Sequence, residues 1–264
     1  MTATPGELLA LASAIAREAG ALLALRAGQV RTNVQSKSTA TDMVSEVDHE
    51  SEALIIERIL AARPGDGILG EEGGERAGTS GVRWVVDPLD GTTNFLYGLP
   101  AYAVSIAVES DGVVVAGAVF DAAHGQLFSA SLGGGAFLDG QLIRVSLEVD
   151  LAKALTGTGF GYVAEQRREQ GRVVAQVVPQ VRDIRRGGSA ALDLCSVACG
   201  RLDAYYELGL GPWDFAAGGL IVREAGGETL LYSEDGHIRL VVAAPPALMA
   251  PLRAALREAG TQGA

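Results

Sequence analysis

VRWVVDPLDGTTNF, residues 82–95, is the stretch on which the reading of this chain turns. VRWVV is rich in β-branched and aromatic residues and is predicted to form a strand running straight into Asp87-Pro88. Pro88 holds its own φ near about −65° and restricts the residue before it. Gly91 permits an unusual backbone angle or a close approach to a ligand. Thr92, Thr93 and Asn94 add short polar side chains. The stretch can gather two carboxylates, Asp87 and Asp90, a hydroxyl and several free N–H groups around one point. Hard divalent cations such as magnesium prefer oxygen ligands of that kind. An isolated D-x-x-D-G is equally an Asp-capped tight turn, so other acids must decide. Glu71 follows the apolar GILG, where a strand is expected to end. Asp48 comes early in a predicted helix, one residue after Val47. Asp214 follows Trp213 at the start of an Ala/Gly-rich helix, where the macrodipole favours an anion. Together these acids suggest a shared cation.

On the N-terminal side, residues 5–26 carry Leu8, Leu11, Ile15, Ala19 and Leu22 at helical spacing. The polar VQSKSTATD is predicted to be a loop, and a second helix runs from Met43 to Ala62, with Val44, Val47, Leu54, Ile55 and Ile59 inward. On the other side, AYAVSIAVE, GVVVAGAVF and GQLFSAS are successive strand candidates, and GGAFLDGQLIRVS reads as a pair turning at Asp139-Gly140. From about Ala152 strands and helices alternate. Strands are predicted at 154–159, 181–186, 202–207, 228–232 and 238–243. Helices are predicted at 163–178, 190–198, 214–225 and 246–258. The expected class is thus α+β with an α/β layer. It forms one domain over 1–264, with possible subdomains 1–150 and 151–264 joined near 145–152.

The chain has 264 residues, is 48% hydrophobic and carries a formal charge of −11. Such a balance argues against a nucleic-acid surface, which wants basic stripes. It leaves room for a phosphorylated substrate, since a metal can supply positive charge locally. The N-terminus lacks a basic segment followed by an apolar run and reads as a folded helix, not a signal peptide. No segment is expected to span a membrane. Cys195 and Cys199, four apart on one helix face, read as small core residues, neither a zinc site nor a disulfide framework. The cytoplasm is the expected compartment. His49, His124 and His237 read as surface or turn residues, and no G-x-S-x-G elbow is present.

With these motifs in place, the chain resembles the inositol monophosphatase family of magnesium-dependent, lithium-sensitive phosphatases, particularly its bacterial members. WVVDPLDGTTNF (84–95) resembles the first family signature and WDFAAGGLIVREAGG (213–227) the second. GEE (70–72), TDMVSEVD (41–48) and GSAALDLCSVACGRLDAYYELG (188–209) fit in the expected order, so the resemblance covers nearly the whole chain. It implies a layered αβαβα sandwich shared with fructose-bisphosphatases, a homodimer, and two to three magnesium ions per site. In this correspondence Glu71, Asp87 and the Leu89 carbonyl hold the activating ion, and Asp87, Asp90 and Asp214 a second. A third, weaker ion lies near Glu71. Asp48 and Thr92 orient or deprotonate the attacking water, and Glu71 shares in that catalytic group. Gly91 and Thr92 offer N–H groups to the phosphate. Glu207, with Asp90, Asp214 and the Gly188-Ser189-Ala190 turn, faces the alcohol, and Lys37 on a mobile loop helps to close the site.

The implied reaction is in-line hydrolysis of a small phosphomonoester, myo-inositol 1-phosphate first. Histidinol phosphate, fructose 1,6-bisphosphate or a 3′-phosphoadenosine nucleotide are alternatives by the same mechanism, and a regulatory protein-binding role is the alternative of another class. Arg185-Arg186 reads either as an ordinary salt-bridge pair or as a contact to substrate or subunit partner. Trp84 and Trp213 are expected to pack behind the metal ligands. Gly211 and Pro212 depart from the bulkier residues of some members, which points to a more open pocket rim.

Overall fold

The computed structural model describes residues 3–27, 34–36 and 43–264. Helix α1 (Pro5–Arg26) starts at a capping box: the Glu7 N–H donates to Thr4 Oγ at 3.3 Å and the Thr4 N–H to Glu7 Oε2 at 2.8 Å. Helix α1 is long and apolar enough to cross a membrane by length and composition alone, with a mean hydropathy of 1.7. Its stripe of Leu8, Ala12, Ile15, Ala19 and Leu23 is instead buried against the protein core.

Residues 34–36 and 43–45 pair antiparallel as β1 (Val34–Ser36) and β2 (Met43–Ser45). The second helix, α2 (Glu46–Ala62), therefore begins three residues later than predicted, because backbone pairing claims Met43–Ser45 first. Lys37 and the rest of the predicted polar loop after Ser36 lie outside the described residues.

The chain continues through β3 (Gly67–Gly70), β4 (Gly74–Arg76), β5 (Val82–Asp90), α3 (Thr92–Tyr97), β6 (Ala103–Ser110), β7 (Val113–Asp121), β8 (Gln126–Ser131), β9 (Gly135–Leu138) and β10 (Gln141–Leu142). These strands form one sheet in the order β10-β9-β8-β7-β6-β5-β3-β4, antiparallel except where β3 lies parallel to β5. Asp139 and Gly140 both take positive φ, 48° and 79°, as the predicted two-residue turn requires.

Then come β11 (Leu155–Thr158), α4 (Ala164–Val177), β12 (Asp183–Arg185), α5 (Ala190–Ala198), β13 (Ala204–Glu207), α6 (Pro212–Glu224), β14 (Glu228–Glu234), β15 (His237–Ala244) and α7 (Pro246–Glu258). Their sheet runs β12-β11-β13-β15-β14. Strand β11 is parallel to both neighbours, and β15 is antiparallel to both of its own.

Strand periodicity explains the layers, since successive side chains leave opposite faces. On β5, Trp84 and Val86 enter the core built with Leu8, Ile15, Ile55 and Ile59 of α1 and α2, while Val85 points the other way. There it meets Leu194 and Cys195 of α5 and Ala217, Leu220 and Ile221 of α6. That middle core also receives Tyr205 of β13 and Val241 and Ala243 of β15. Their neighbours Tyr206, Leu240 and Val242 face a third core with Val173 and Val177 of α4 and Leu248, Leu252 and Leu256 of α7. The result is helix, sheet, helix, sheet, helix: the expected αβαβα sandwich. Gly117 lets β7 and α6 meet closely, since a Cβ there would lie 3.0 Å from the Ala217 carbonyl oxygen.

The central strands β5, β6 and β7 are buried on both faces along most of their length, which is why they read as largely apolar runs and not as alternating ones. Trp84, expected behind the metal ligands, shares a buried core with Leu89, and its Nε1 donates to buried Asp66 Oδ2 at 2.9 Å. Burial would raise the Asp66 pKa, but hydrogen bonds from Arg63, Ser80 and Trp84 bring it below the usual value.

Candidate active site

The predicted strand does not stop at Asp87. It runs on to Asp90 through an irregularity, with Asp87 opposite Ser105 and Asp90 opposite Ala103. Two residues, Pro88 and Leu89, thus face one on β6, and Pro88 has no N–H for the ladder. The bulge turns the carboxylates toward one point. Asp87 is 1% exposed and its Oδ1 accepts the Leu89 N–H at 3.0 Å.

Asp90 is pinned from the far side of the cleft: its Oδ2 accepts the Ser189 hydroxyl at 2.6 Å and the Ala191 N–H at 2.7 Å. Asp214 sits in the first turn of α6, its Oδ2 accepting the Gly211 N–H at 2.7 Å. One oxygen from each of Asp87, Asp90 and Asp214 lies within 4.8 Å of the others. Burial, and then the charges of Glu71, Asp90, Asp214 and Asp48, push Asp87 well above the usual carboxylate range. Burial followed by Asp90 and Glu71 does the same to Asp214. Asp90 is raised mainly by burial, against the hydrogen bonds it receives. Three crowded carboxylates offering only oxygen are a donor set suited to a hard divalent cation.

Gly91 follows with φ of 91°, in the left-handed region, and caps α3. A Cβ there would stand 2.7 Å from the Ala101 carbonyl oxygen, so the turn requires glycine on two counts. Residues 92–97, not predicted as helical, form α3, which brings Gly91 and Thr92 to the cavity wall. The Thr92 hydroxyl lies 3.0 Å from the Leu89 carbonyl and 3.5 Å from Asp48 Oδ2. A carbonyl has a second lone pair, so the bond from Thr92 leaves Leu89 able to ligate a cation.

The cavity measures about 240 Å³. Of the expected site residues, Glu71, Asp87, Leu89, Asp90, Gly91, Thr92, Gly188, Ala190, Glu207 and Asp214 line it. Glu71 shares the cavity, and its charge reaches Asp87, but it lies outside the tight group of three.

Two expected site residues lie outside the cavity lining. Asp48 is fully buried, with its Oδ2 3.5 Å from the Thr92 hydroxyl. Ser189 is 1% exposed and does not line the cavity; its hydroxyl is spent on Asp90 and on capping α5 at the Leu192 N–H. Asn94 binds this turn to α3, donating to the Ala101 and Gly187 carbonyls at 2.7 and 2.9 Å. Trp213 is half-buried just before Asp214; Gly211 backs onto its indole and, with Pro212, stays outside the cavity lining.

Of the arginine pair, Arg186 lines the cavity, and its charge acts on Asp90, Asp193 and Glu207. Arg185 is exposed and pairs with Asp183 at 2.6 Å. Glu207 accepts the Tyr205 hydroxyl at 2.5 Å, and burial lifts it to about 7.

Sequence reasoning missed one wall altogether. Gly159, Phe160, Gly161, Tyr162 and Val163 line the cavity between β11 and α4. Burial, followed by the charges of Glu71 and Asp90, pushes the Tyr162 phenol up to about 12, while a hydrogen bond with Thr93 opposes the rise. The available signal was position: this loop leaves the carboxyl end of a strand parallel to its neighbours, where α/β sheets place ligands.

The profile of the inositol monophosphatase family matches residues 5–261. An inositol-1-monophosphatase of Mycobacterium leprae is 47% identical over 274 residues, covering 96% of this chain and 94% of that protein. A protein named Nus factor SuhB from Salmonella typhimurium is 44% identical over 222 residues, 83% of each chain. The solved structure of the extragenic suppressor protein suhB from Bartonella henselae is 38% identical, with a TM-score of 0.90 over 96% of this chain and 99% of that one. With both signature segments meeting at one acidic cavity, this chain belongs to the inositol monophosphatase family of enzymes.

Proposed function

We propose that this chain is a magnesium-dependent phosphatase that hydrolyses a small phosphomonoester, with myo-inositol 1-phosphate as the first substrate. The observation that carries the reading is the convergence of Asp87, Asp90 and Asp214 within 4.8 Å beside the Thr92 hydroxyl. Magnesium ions held by these carboxylates, with Glu71 and the Leu89 carbonyl beside them, would supply the positive charge that neutralises a phosphoryl group and acidifies water.

The chain's own groups do the rest. The Gly91 and Thr92 amides, at the first turn of α3, receive the phosphate oxygens. The Thr92 hydroxyl accepts a hydrogen bond from the attacking water; when its own hydrogen turns from the Leu89 carbonyl to Asp48 Oδ2, 3.5 Å away, it can give that proton to Asp48 as it takes one from the water. Asp48 is thereby a positioning residue acting through Thr92, and Ser189 likewise acts by orienting Asp90. Glu207, Ala190 and the Gly188 backbone face the alcohol. Arg186 offsets part of the negative charge on that side and, with Lys37, answers the dianionic ester. No covalent phosphoenzyme is needed.

In this reading the enzyme works in the cytoplasm as a homodimer and is inhibited by lithium competing for a magnesium position. The M. leprae relative's name supports inositol 1-phosphate as substrate. A second reading, a regulatory role through a protein partner, draws on the Salmonella relative's name. Partner capture that survives Asp87→Asn while phosphate release is lost would separate the two roles.

The deciding experiment is phosphate release with magnesium from inositol 1-phosphate, histidinol phosphate, fructose 1,6-bisphosphate and a 3′-phosphoadenosine nucleotide. Preference for the first supports the reading. Activity confined to another keeps the mechanism and moves the substrate, and no release from any of the four overturns the substrate assignment.

A further inference from the structure

Gln170 stands at an unexpected place. On α4 it shares a face with Val173 and Val177, three and seven residues on, both of which are buried in the third core. An amide at such a position is unfavourable unless both its halves are bonded. Gln170 is 4% exposed, and both halves are used. Its Oε1 accepts the Gly161 N–H at 2.9 Å, and its Nε2 donates to the Leu208 carbonyl at 3.0 Å. The two partners belong to different segments, 159–163 and 207–210, and both segments line the active cavity. One turn earlier, Arg167 Nη1 donates to the Gly161 and Tyr162 carbonyls at 3.2 and 2.7 Å. Beyond these bonds the loop is tied to α3 by the Tyr162–Thr93 hydrogen bond; α4 has no side-chain N-cap, and the preceding strand ends at Thr158.

We infer that Gln170 is a positioning residue that sets the alcohol selectivity of the cavity, by tying together the two loops that wall its alcohol side; this rests on the phosphatase reading above. The carboxylates and the Gly91 turn hang on β5, α3, α5 and α6, and neither Gln170 nor Arg167 bonds to any of these elements directly. The Gly159–Val163 wall and the Leu208–Leu210 wall depend on Gln170 for their separation. Tyr162 and Phe160 ride on the first, and Glu207 adjoins the second. A substrate whose alcohol fills the space between the walls gains from the tether; one with a short alcohol does not.

The test is the ratio of kcat/KM for myo-inositol 1-phosphate to that for ethyl phosphate, whose alcohol has two carbons. Gln170→Leu, which removes both bonds at similar volume, lowers that ratio about fivefold, chiefly through the KM for the inositol ester. Arg167→Ala, at a partly exposed position, lowers it about twofold without touching the core. A folded Gln170→Leu protein with the wild-type ratio overturns the inference and leaves Gln170 a satisfied core amide. If Gln170→Leu does not fold, Arg167→Ala decides: a lowered ratio supports the tether, and an unchanged ratio overturns it. Wild-type protein that releases phosphate from neither ester overturns the phosphatase reading and this inference with it.

Discussion

Replacing Asp87 by Asn removes one charge from the centre of the site and changes little else. Asn keeps an oxygen for the Leu89 N–H, now 3.0 Å from Asp87 Oδ1. In the metal-free protein Asp87 is 1% exposed and repelled by Glu71, Asp90, Asp214 and Asp48. Burial and that repulsion raise its pKa, which is the sign of an unfavourable charge in the folded state. Relief of that repulsion is therefore expected to stabilise the metal-free fold and to raise its Tm.

Magnesium reverses the order. A ligand at a hundred times its Kd stabilises by about 2.7 kcal/mol, and only the wild type retains the full ligand set. Thermal unfolding in chelator and in excess magnesium should show the curves cross: the variant melts higher without metal and the wild type higher with it. A variant that melts lower in both conditions, or gains as much from magnesium as the wild type, refutes the reasoning that these acids are crowded in order to hold a cation.

The same repulsion has a pH signature. Folded carboxylates with raised pKa keep protons that the unfolded chain has released, so their contribution to stability falls as pH rises above about 3.8 toward the raised folded values. The difference in Tm between metal-free Asp214→Asn and wild type should grow across that window, followed by scanning calorimetry. Thr92→Ala should lower kcat about 10²-fold or more with little change in Tm, in a steady-state phosphate assay. Ser189→Ala loses the hydrogen bond to Asp90 and the cap of α5, and should cost about 1–2 kcal/mol in urea unfolding. Gly91→Ala must hold φ near 91° with a Cβ against the Ala101 carbonyl, and should cost more than about 2 kcal/mol by the same measurement.

Much of this was legible in the sequence because one physical cause acted alone. The largely apolar runs of β5, β6 and β7 marked strands, and Asp139-Gly140 marked a turn, which takes two positive φ values. Asp87, Asp90 and Asp214 stood out because carboxylates directly after buried apolar residues are costly without a purpose. Legibility failed where tertiary contact chose between local options. Met43–Ser45 could extend a helix, yet pairs with Val34–Ser36. Ser189 is as plausible a substrate contact as a cap, and only the position of Asp90 decides. Asp48 is near the site in space, 3.5 Å from the Thr92 hydroxyl, but buried outside the cavity lining. The Gly159–Val163 wall carries no carboxylate to draw notice, and Gln170, which bonds to it, lies nine residues on from Gly161 within the predicted helix.

The central claim is that the acids gathered at the end of β5 make this chain a metal-dependent phosphatase. Its most direct test is inorganic phosphate release from myo-inositol 1-phosphate by wild-type protein, first in chelator and then with magnesium restored. The account predicts no turnover beyond background in chelator and full recovery on adding magnesium. Equal turnover in both would contradict it.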